Sequence, residues 1–303
     1  MNMVEKGITG LISGIKRMEI HDGDGLRTTV FFKGCPLKCV WCHNPESISY
    51  QPQTALFRDK CIGCGSCAAV CRSGAVSLDG KAVIDHEKCR ACFACADVCP
   101  VGAAVGYGKR YTVSGLLDEI MLDAPFFAEG KGGVTLSGGE CLTQPEFALA
   151  LAERLHGEGI SVDIDTCGYV GCGVLERISR FTDTFLYDIK AVDPEVHRRC
   201  TGKDNRQILD NLKYLSGAGC RIEIRFPLVV GMNDTETPKI AELLSRTPGV
   251  TGVRVLRYHN LAASRYSALG MKNTLPEPLT TDRDTSDAAE IFRRYGVSVI
   301  SDG

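Results

Sequence analysis

Eight cysteines in two runs of identical spacing constrain this chain more than any other sequence feature. The first run, CIGCGSCAAVC, begins at Cys61, and the second, CRACFACADVC, begins 28 positions later at Cys89. Both have the spacing C-x2-C-x2-C-x3-C. Disulfide frameworks belong mainly to short secreted chains, whereas clustered cysteines in a long chain indicate metal or redox chemistry. The two runs therefore predict a small metal-binding unit over residues 57–103.

The spacing of both runs resembles that of bacterial ferredoxins, in which the fourth cysteine of each run ligates the other cluster. By this resemblance, one [4Fe-4S] cluster is held by Cys61, Cys64, Cys67 and Cys99, and the other by Cys89, Cys92, Cys95 and Cys71. Zinc on two four-cysteine knuckles is the alternative, although this spacing is unusual for zinc.

Composition indicates a globular protein and excludes some partners. The chain has 303 residues, of which 44% are hydrophobic and 24% charged, enough for one large domain or two smaller ones. The first residues, MNMVEKGITG, lack the apolar core of a signal peptide, and no apolar run is long enough to cross a bilayer. We therefore expect a cytoplasmic protein. A net charge of -2 gives no electrostatic reason to expect nucleic acid or a membrane surface as a partner.

Outside residues 57–103, short apolar strands alternate with amphipathic helices. Strands are predicted at RTTVFFKG, GVTLSGGE, ISVDIDTCG, TFLYDIK, CRIEIRFPL, GVRVLRYHN and VSVIS. Helices are predicted through Phe147, Leu151 and Leu155, near Leu175 and Ile178, through Ile208, Leu212 and Leu215, and over 236–246 and 284–295. Such alternation implies parallel strands joined by right-handed helical crossovers. Removing the 47 residues of the insert from the 303-residue chain leaves 256, close to the roughly 250 of an α/β barrel. We therefore predict an α/β barrel formed by 1–56 and 104–303, interrupted by the insert at 57–103.

A third group of cysteines, Cys35, Cys39 and Cys42, follows the strand RTTVFFKG and has no fourth cysteine nearby. Structural zinc sites and ordinary iron-sulfur clusters take four protein ligands, whereas catalytic metal sites keep one position open. Three thiolates on a cubane would leave one iron without a protein ligand. The other strands end in glycine or polar residues, which are expected to share one pocket at the carboxyl rim of the barrel.

The spacing C-x3-C-x2-C, with Trp41 before the last cysteine, resembles that of the radical S-adenosylmethionine superfamily. Together, HDGDGLRTTVFFKGCPLKCVWCHNPES, SGGE, DTCGY, YDIKAVDPEVHRRCTG and RYHNLAASRYSALG resemble the glycyl radical enzyme activating enzymes, in particular the subgroup with a two-cluster ferredoxin-like insert. The resemblance runs from about residue 10 to the C-terminus. It implies a partial TIM-type (β/α)6 barrel, three [4Fe-4S] clusters, and S-adenosylmethionine bound to the open iron.

The resemblance also implies residue roles. Cys35, Cys39 and Cys42 would hold the open cluster. The implied contacts of S-adenosylmethionine are Trp41, Cys42, His43, Gly138, Gly139, Asp188, Ile189, Lys190 and His259. Asp165, Thr166 and Asp188, with the carbonyl of Tyr187, would bind a monovalent cation, since oxygen ligands suit a hard cation. Without the resemblance, Trp41 could be a packing residue, Asp188 and Lys190 a surface charge pair, and the two aspartates helix caps.

The implied activity is that of an activase. A flavodoxin or ferredoxin would supply electrons through the insert to the open cluster, in an anaerobic setting. Reductive cleavage of S-adenosylmethionine would give a 5'-deoxyadenosyl radical, which removes hydrogen from a backbone glycine of a partner glycyl radical enzyme. No side-chain acid or base is implied, because cluster and sulfonium carry the chemistry. Two alternatives are a radical enzyme acting on another peptide or a small molecule, and an electron carrier with three clusters.

Four positions depart from the family pattern, and one of them, Arg265 in place of a usual lysine, has no clear consequence. Asp24 stands where the motif HDGPG has proline, so the turn loses a fixed φ. Cys141 and Cys167 lie near the expected pocket, and both are interpreted as buried, inert thiols.

Overall fold

The computed structural model describes residues 7–300. The first part of the chain is mainly strands, with two short helices between the cysteines of the insert. Its elements are β1 (Thr9–Glu19), β2 (Arg27–Phe32), β3 (Gln53–Leu56), α1 (Ser66–Val70), β4 (Val76–Asp79), β5 (Lys81–Ile84), α2 (Ala94–Asp97), β6 (Ala104–Tyr107) and β7 (Lys109–Thr112).

From residue 113 onward, strands and helices alternate. The elements are α3 (Val113–Met121), α4 (Ala124–Gly130), β8 (Gly133–Gly138), α5 (Pro145–Gly157), β9 (Ser161–Thr166), α6 (Cys172–Ile178), β10 (Thr184–Asp188), α7 (Pro194–Thr201), α8 (Arg206–Gly217), β11 (Ile222–Leu228), α9 (Thr237–Ser245), β12 (Val250–Arg257), α10 (Ala263–Ala268) and α11 (Asp282–Arg294).

The main sheet has the order β12-β11-β10-β9-β8-β2-β1-β7. The six strands from β2 to β12 run parallel, each pairing with the next in this order. The predicted partial (β/α)6 barrel is therefore confirmed. Strands β8, β10 and β11 are buried along nearly their whole length, because helices cover one face and the barrel interior covers the other.

Helix α5 illustrates how the sequence forms the outer layer. Pro145 occupies its first turn, where a missing N–H costs no hydrogen bond. Phe147, Leu151 and Leu155 recur at intervals of four on one face, and all three are buried in the main core. Gly10 of β1 makes room for the Phe147 ring, since a Cβ at Gly10 would lie 2.2 Å from Cδ1 of the phenylalanine.

Two features of the sheet differ from the sequence prediction. Of the predicted strand VSVIS, residues 297–300 form only an isolated parallel bridge to β12, between Val253 and Val299, so the prediction of a strand was wrong for these residues, while Ser301 lies outside the described ones. Among the described residues, pairing is confined to Val253, whose N–H donates to Ser298 O and whose carbonyl accepts from Ile300 N. Strands β1 and β7 were not predicted; β1 extends the sheet antiparallel to β2, and β7 pairs antiparallel with β1.

The insert leaves and rejoins the barrel at neighbouring points. Strands β3 and β6, which flank it, pair antiparallel from Gln53 with Tyr107 to Leu56 with Ala104. Inside it, β4 and β5 form a hairpin. No helix within residues 7–300 is long and apolar enough to cross a membrane.

We predict that Leu151→Ala lowers the free energy of unfolding by about 2 to 5 kcal/mol, because the fully buried side chain leaves a cavity between α5 and the sheet. Urea denaturation of the anaerobic protein measures this change. Leu122→Ala is the control, since Leu122 is 72% exposed and its truncation should change stability little. Equal losses for the two variants would contradict the assignment of this core.

Candidate functional site

The segment that carries Cys35, Cys39 and Cys42 is held by its backbone rather than by its side chains. Gly34 N donates to Ser47 O at 2.7 Å and Cys35 N to Ile48 O at 3.1 Å. Farther along, Lys38 N donates to Thr201 O at 2.8 Å and Val40 N to Cys200 O at 3.0 Å. We call residues 34–42 the cysteine loop. It is thus fixed between the turn that follows it and the end of α7.

The residues at both ends of helix α7 favour the observed helix boundaries. Asp193 caps its N-terminus by accepting from Glu195 N and Val196 N. Gly202 follows its last turn with φ of 79°, a left-handed conformation that glycine adopts readily. The helix thus ends at Thr201, whose carbonyl faces the cysteine loop.

A buried histidine fixes the end of α7. His197 Nδ1 lies 2.8 Å from Lys203 O, so this nitrogen carries the proton and donates to the carbonyl. The Thr201 hydroxyl lies 3.1 Å from the same nitrogen and donates to His197 O at 2.8 Å. Burial lowers the pKa of His197, which keeps the ring neutral. His197 and Thr201 therefore set the direction of the carbonyls that hold the cysteine loop.

A cavity of about 220 Å³ opens at the carboxyl ends of the barrel strands. It brings together most of the site residues predicted from sequence: Cys35, Cys39, Trp41, Cys42, His43, Gly138, Gly139, Asp165, Thr166, Asp188 and Lys190. Ile189 and His259 do not border it. Ile189 is buried and its N–H donates to Arg225 O. The chain places this cavity where barrels of this kind bind their ligands.

Gly138 and Gly139 lie at the end of β8, directly against the start of the cysteine loop. A Cβ at Gly138 would lie 2.3 Å from Phe32 N and O, and one at Gly139 would lie 2.5 Å from Gly34 O. Gly139 N donates to Phe32 O, and Glu140 N to Gly34 O. Close approach of backbone to backbone thus already requires glycine at both positions, apart from any ligand.

Lys190 and Asp188 form a buried ion pair on the cavity wall. Their Nζ and Oδ2 atoms lie 2.5 Å apart, and Lys190 is 8% exposed, so this is not a surface charge pair. Burial alone would lower the pKa of Lys190, but its anionic neighbours, with the Asp188 carboxylate first among them, together raise the pKa above its usual value. The lysine therefore stays charged and can attract an anionic group in the cavity.

Burial raises the pKa of the Cys42 thiol to about 12 and raises that of Cys39 further above its usual value. Both thiols are therefore protonated until iron binds, and iron binding must release their protons. Three thiols that converge on a cavity beside an ammonium group match a cluster with three protein ligands and a charged ligand on its open iron.

The oxygen ligands predicted for a cation have protein partners. Asp165 accepts from Ser137 Oγ at 2.5 Å, and Thr166 Oγ1 donates to both carboxylate oxygens of Glu140. Burial raises the pKa of Asp165 to about 7, although Arg225 opposes this shift. Neither Asp165 nor Asp188 caps α6 or α7, whose N-caps are Gly171 and Asp193. The helix-cap alternative is therefore excluded.

Trp41 and His259, both predicted from the sequence to contact the ligand, have different surroundings in the structure. Trp41 is buried against Cys200, Val229 and Tyr258, so it packs as well as bordering the cavity. The rings of His43 and His259 stack with centroids 4.2 Å apart, and His43 Nε2 lies 2.8 Å from His259 O. The His259 ring thus contacts the cavity indirectly, through His43.

In the insert, the thiols of Cys61, Cys64, Cys67 and Cys99 line one small cavity. Backbone N–H groups donate to the sulfurs: Ala103 N to Cys99 at 3.2 Å, and Ala82 N to Cys61 at 3.4 Å. Such bonds stabilise thiolates on iron-sulfur clusters. Within residues 7–300, no three His, Cys, Asp or Glu side chains are grouped closely enough to hold a single metal ion.

Sequence reasoning missed Arg225 and gave no role to Tyr258, both of which border the cavity. Arg225 alternates with Glu223 along β11, and this polar alternation within an apolar strand was an available signal. Cys167 also borders the cavity, and its N–H donates to Glu140 Oε2 at 2.8 Å. Its thiol is buried.

Comparison with known proteins places the chain in a class. Residues 84–244 match the Radical SAM superfamily, residues 60–103 a 4Fe-4S dicluster domain, and residues 21–70 a 4Fe-4S single cluster domain. The barrel, the cysteine loop and these matches together define a radical S-adenosylmethionine enzyme with additional iron-sulfur binding.

Full-length relatives narrow the class. The chain is 44% identical to the trans-4-hydroxy-L-proline dehydratase activating enzyme of Clostridioides difficile, over 86% of this chain and 88% of the relative. It is 39% identical to the (2S)-3-sulfopropanediol sulfolyase activating enzyme of Bilophila wadsworthia, over 90% and 93%. It is 36% identical to the choline trimethylamine-lyase activating enzyme of Oleidesulfovibrio alaskensis, over 98% and 99%. The chain belongs to the glycyl radical enzyme activating enzymes.

Its activity follows from this membership: it reductively cleaves S-adenosylmethionine and removes a hydrogen atom from a backbone glycine of a glycyl radical enzyme. A cluster held by Cys35, Cys39 and Cys42 would supply the electron for that cleavage. The chain itself brings these three thiols to one cavity, places a charged lysine beside them and closes the cavity wall with buried apolar residues.

We predict that His197→Gln loosens the cysteine loop, whereas His197→Asn does not, because the asparagine amide nitrogen can replace Nδ1 as donor to Lys203 O. Loss of this part-buried hydrogen bond costs about 0.5 to 1.5 kcal/mol. Iron loss to a chelator should be about tenfold faster in His197→Gln, and S-adenosylmethionine should bind more weakly. Ile240→Val, in buried α9, controls for a modest general loss of stability. Equal iron loss in all three variants would contradict this role.

Proposed function

We propose that this activase carries three [4Fe-4S] clusters: one on Cys35, Cys39 and Cys42, and two in the insert at 57–103. The observation that carries the proposal is the convergence of the three loop cysteines on one cavity with Lys190 and Asp188. Four insert thiols around a separate cavity support the second cluster. The barrel would then comprise 1–56 and 104–303.

Within the cavity, we assign Lys190 to the carboxylate of the methionine moiety, because a buried charged ammonium favours an anion. The turn at Gly138 and Gly139 would meet the methionine amino group. Trp41, Cys42, His43 and Asp188 complete the assigned contacts within the cavity, and His259 would reach the ribose from its place on His43. Ile189, also predicted as a contact, lies behind the cavity wall and would act only by holding Asp188 and Lys190 in place. Asp165, Thr166 and Asp188 would hold a monovalent cation, since all three border the cavity.

We further propose that a reduced flavodoxin or ferredoxin supplies the electrons and that the insert clusters relay them to the cysteine loop. We propose the cytoplasm as the compartment of this protein, because both carriers occur there. Support comes from the position of the insert, which begins at β3, shortly after the cysteine loop, and ends at β6, which pairs with β3 and contacts β1. The substrate of the reaction is a backbone glycine of a glycyl radical enzyme.

The search for the glycyl radical enzyme that this chain activates begins with the enzymes that the relatives activate. We propose a dehydratase or lyase of the glycyl radical class, and trans-4-hydroxy-L-proline dehydratase is the first candidate because its activase shares the most sequence of the three relatives compared. A stable glycyl radical signal in the candidate, after anaerobic incubation with the activase, a reductant and S-adenosylmethionine, would identify it. Formation of 5'-deoxyadenosine that responds instead to a small molecule would favour that alternative substrate.

We predict that Cys35→Ala, Cys39→Ala and Cys42→Ala each abolish reductive cleavage of S-adenosylmethionine, since a cubane with only two thiolates is not held in place. Cleavage is measured as 5'-deoxyadenosine formed under dithionite. Cys172→Ala is the matched control, because Cys172 is exposed and does not border the cavity. Intact cleavage in any of the three variants would refute the assignment of the open cluster.

We also predict the iron content of the reconstituted protein. Three cubanes contain about 12 irons, so Cys64→Ala and Cys92→Ala should each lower the count to about 8 while dithionite-driven cleavage persists. Iron is measured by colorimetry, and the cluster type by electron paramagnetic resonance. Cys220→Ala, at a half-buried cysteine outside the runs, should leave the count unchanged. A full count in both run variants would contradict the two insert clusters.

A further inference from the structure

Lys190 lies just beyond the part of the sheet that fixes backbone positions. Strand β10 ends at Asp188, which pairs with Arg225 of β11. The N–H of Ile189 still donates to Arg225 O at 3.0 Å. Lys190 comes after this pairing, yet it is buried and borders the cavity. Its position therefore needs support from another part of the chain.

That support comes from the side chain of Asn233. Its Nδ2 donates to Lys190 O at 2.9 Å and to Pro227 O at 2.8 Å. Its Oδ1 accepts from Val229 N at 2.8 Å. One amide thus connects the residue that follows β10 to the end of β11. Asn233 is fully buried, so water cannot replace these bonds when the amide is lost.

The turn that follows β11 holds Asn233 itself in place. Asn233 N donates to Val229 O at 3.1 Å, which closes the turn formed by residues 229–233. Gly231 has φ of 77° within this turn, and its N–H donates to Asp234 Oδ1 at 2.8 Å. The observed bonds need two donors and one acceptor on a short side chain. Asparagine provides them, whereas an ionised aspartate has no donor.

Another buried asparagine makes comparable bonds elsewhere in the barrel. Asn211 of α8 is 3% exposed, and its Nδ2 donates to Gly168 O at 2.9 Å and to Val170 O at 2.7 Å. Neither of these two residues borders the cavity, whereas both residues whose carbonyls accept from Asn233 do. Asn211 is therefore a matched control for the loss of a buried amide.

We propose that Asn233 is a positioning residue for anion recognition: it holds the backbone of Lys190 so that the ammonium group meets the carboxylate of S-adenosylmethionine. The proposal rests on the assignment of Lys190 to that carboxylate and adds the group that keeps the lysine in place. A charge-assisted hydrogen bond depends on distance and direction, so a shift of the lysine backbone weakens it. Asn233 does not border the cavity and acts only through the lysine.

The ratio of the dissociation constants of decarboxylated S-adenosylmethionine and S-adenosylmethionine tests this role. The two ligands differ only in the carboxylate, so the ratio reports on the groups that meet it. The contribution of the cluster iron is common to every variant that retains full iron content. Isothermal titration calorimetry on the reconstituted full-length protein, under anaerobic conditions, measures both constants, and iron analysis verifies the clusters.

We expect Lys190→Met to lower this ratio at least about tenfold and Asn233→Ala to lower it about fivefold. Asn211→Ala should stay within about twofold of wild type, although it too loses a buried amide. The double variant Asn233→Ala/Lys190→Met should have the ratio of Lys190→Met alone, because the asparagine acts through the lysine.

A second substitution covers the case in which Asn233→Ala does not fold or loses its clusters. Asn233→Asp is nearly isosteric and keeps the acceptor for Val229 N, but the ionised carboxylate lacks both donors. It should lower the ratio by a similar factor, whereas its control Asn211→Asp should not.

The outcomes separate this proposal from the proposed function. A wild-type ratio in the Asn233 variants, together with a lowered ratio in Lys190→Met, would overturn the positioning role and leave the proposed function intact. An equal fall in the Asn211 and Asn233 variants would also overturn it, since any buried amide would then have the same effect. A wild-type ratio in Lys190→Met would instead refute the assignment of Lys190 to the carboxylate.

Discussion

The backbone hydrogen bonds of the cysteine loop are the interaction on which the site depends. Its N–H groups reach the turn at residues 47–48 and the end of α7, while Gly139 and Glu140 donate to Phe32 O and Gly34 O from the end of β8. These partners follow three different barrel strands. The positions of the three thiols are therefore consequences of the whole parallel sheet, because the loop has its shape only when β2, β8 and β10 are in register. Cluster binding and folding of the barrel rim are thus coupled.

A buried carboxylate connects this loop to the next strand. Glu140 is fully buried and accepts hydrogen bonds from Leu142 N, Thr166 Oγ1 and Cys167 N. Burial raises its pKa, yet these donors supply partners for both of its oxygens. It consequently joins the end of β8 to the end of β9, the two strand ends that carry the glycine turn and Asp165. The SGGE motif therefore has a structural role in this chain, besides any contact its glycines make with a ligand.

Sequence reasoning succeeded where the information was local and failed where it was not. Cysteine spacing and the alternation of apolar strands with helices identified the thiols and six parallel strands, because both patterns depend on neighbours in sequence. The antiparallel β1 and β7 escaped prediction because pairing across a sheet depends on distant residues. The same reason explains why Arg225 was missed, since its place in the cavity depends on closure of the barrel. It also explains why the stacking of the His259 ring on His43, 216 positions away in the chain, was missed. The motif predicted His259 near the site, but not the neighbour that separates it from the cavity.

The insert shows how a repeat becomes asymmetric without changing its backbone. Gly63 and Ala91, and likewise Gly65 and Phe93, occupy equivalent positions in the two runs, and all four have positive φ. Left-handed conformations at alanine and phenylalanine are strained, so the second run keeps this geometry because the four-thiol arrangement requires it. The phenylalanine adds a ring that packs on Gly106 of β6, whereas the glycine at the equivalent position is covered only by Leu78 of the hairpin. The two runs nevertheless keep the same burial of their cysteines, with Cys64 and Cys92 exposed and Cys67 and Cys95 buried. The asymmetry therefore lies in the packing around each run, because the thiol positions themselves are set by the shared spacing and backbone conformation.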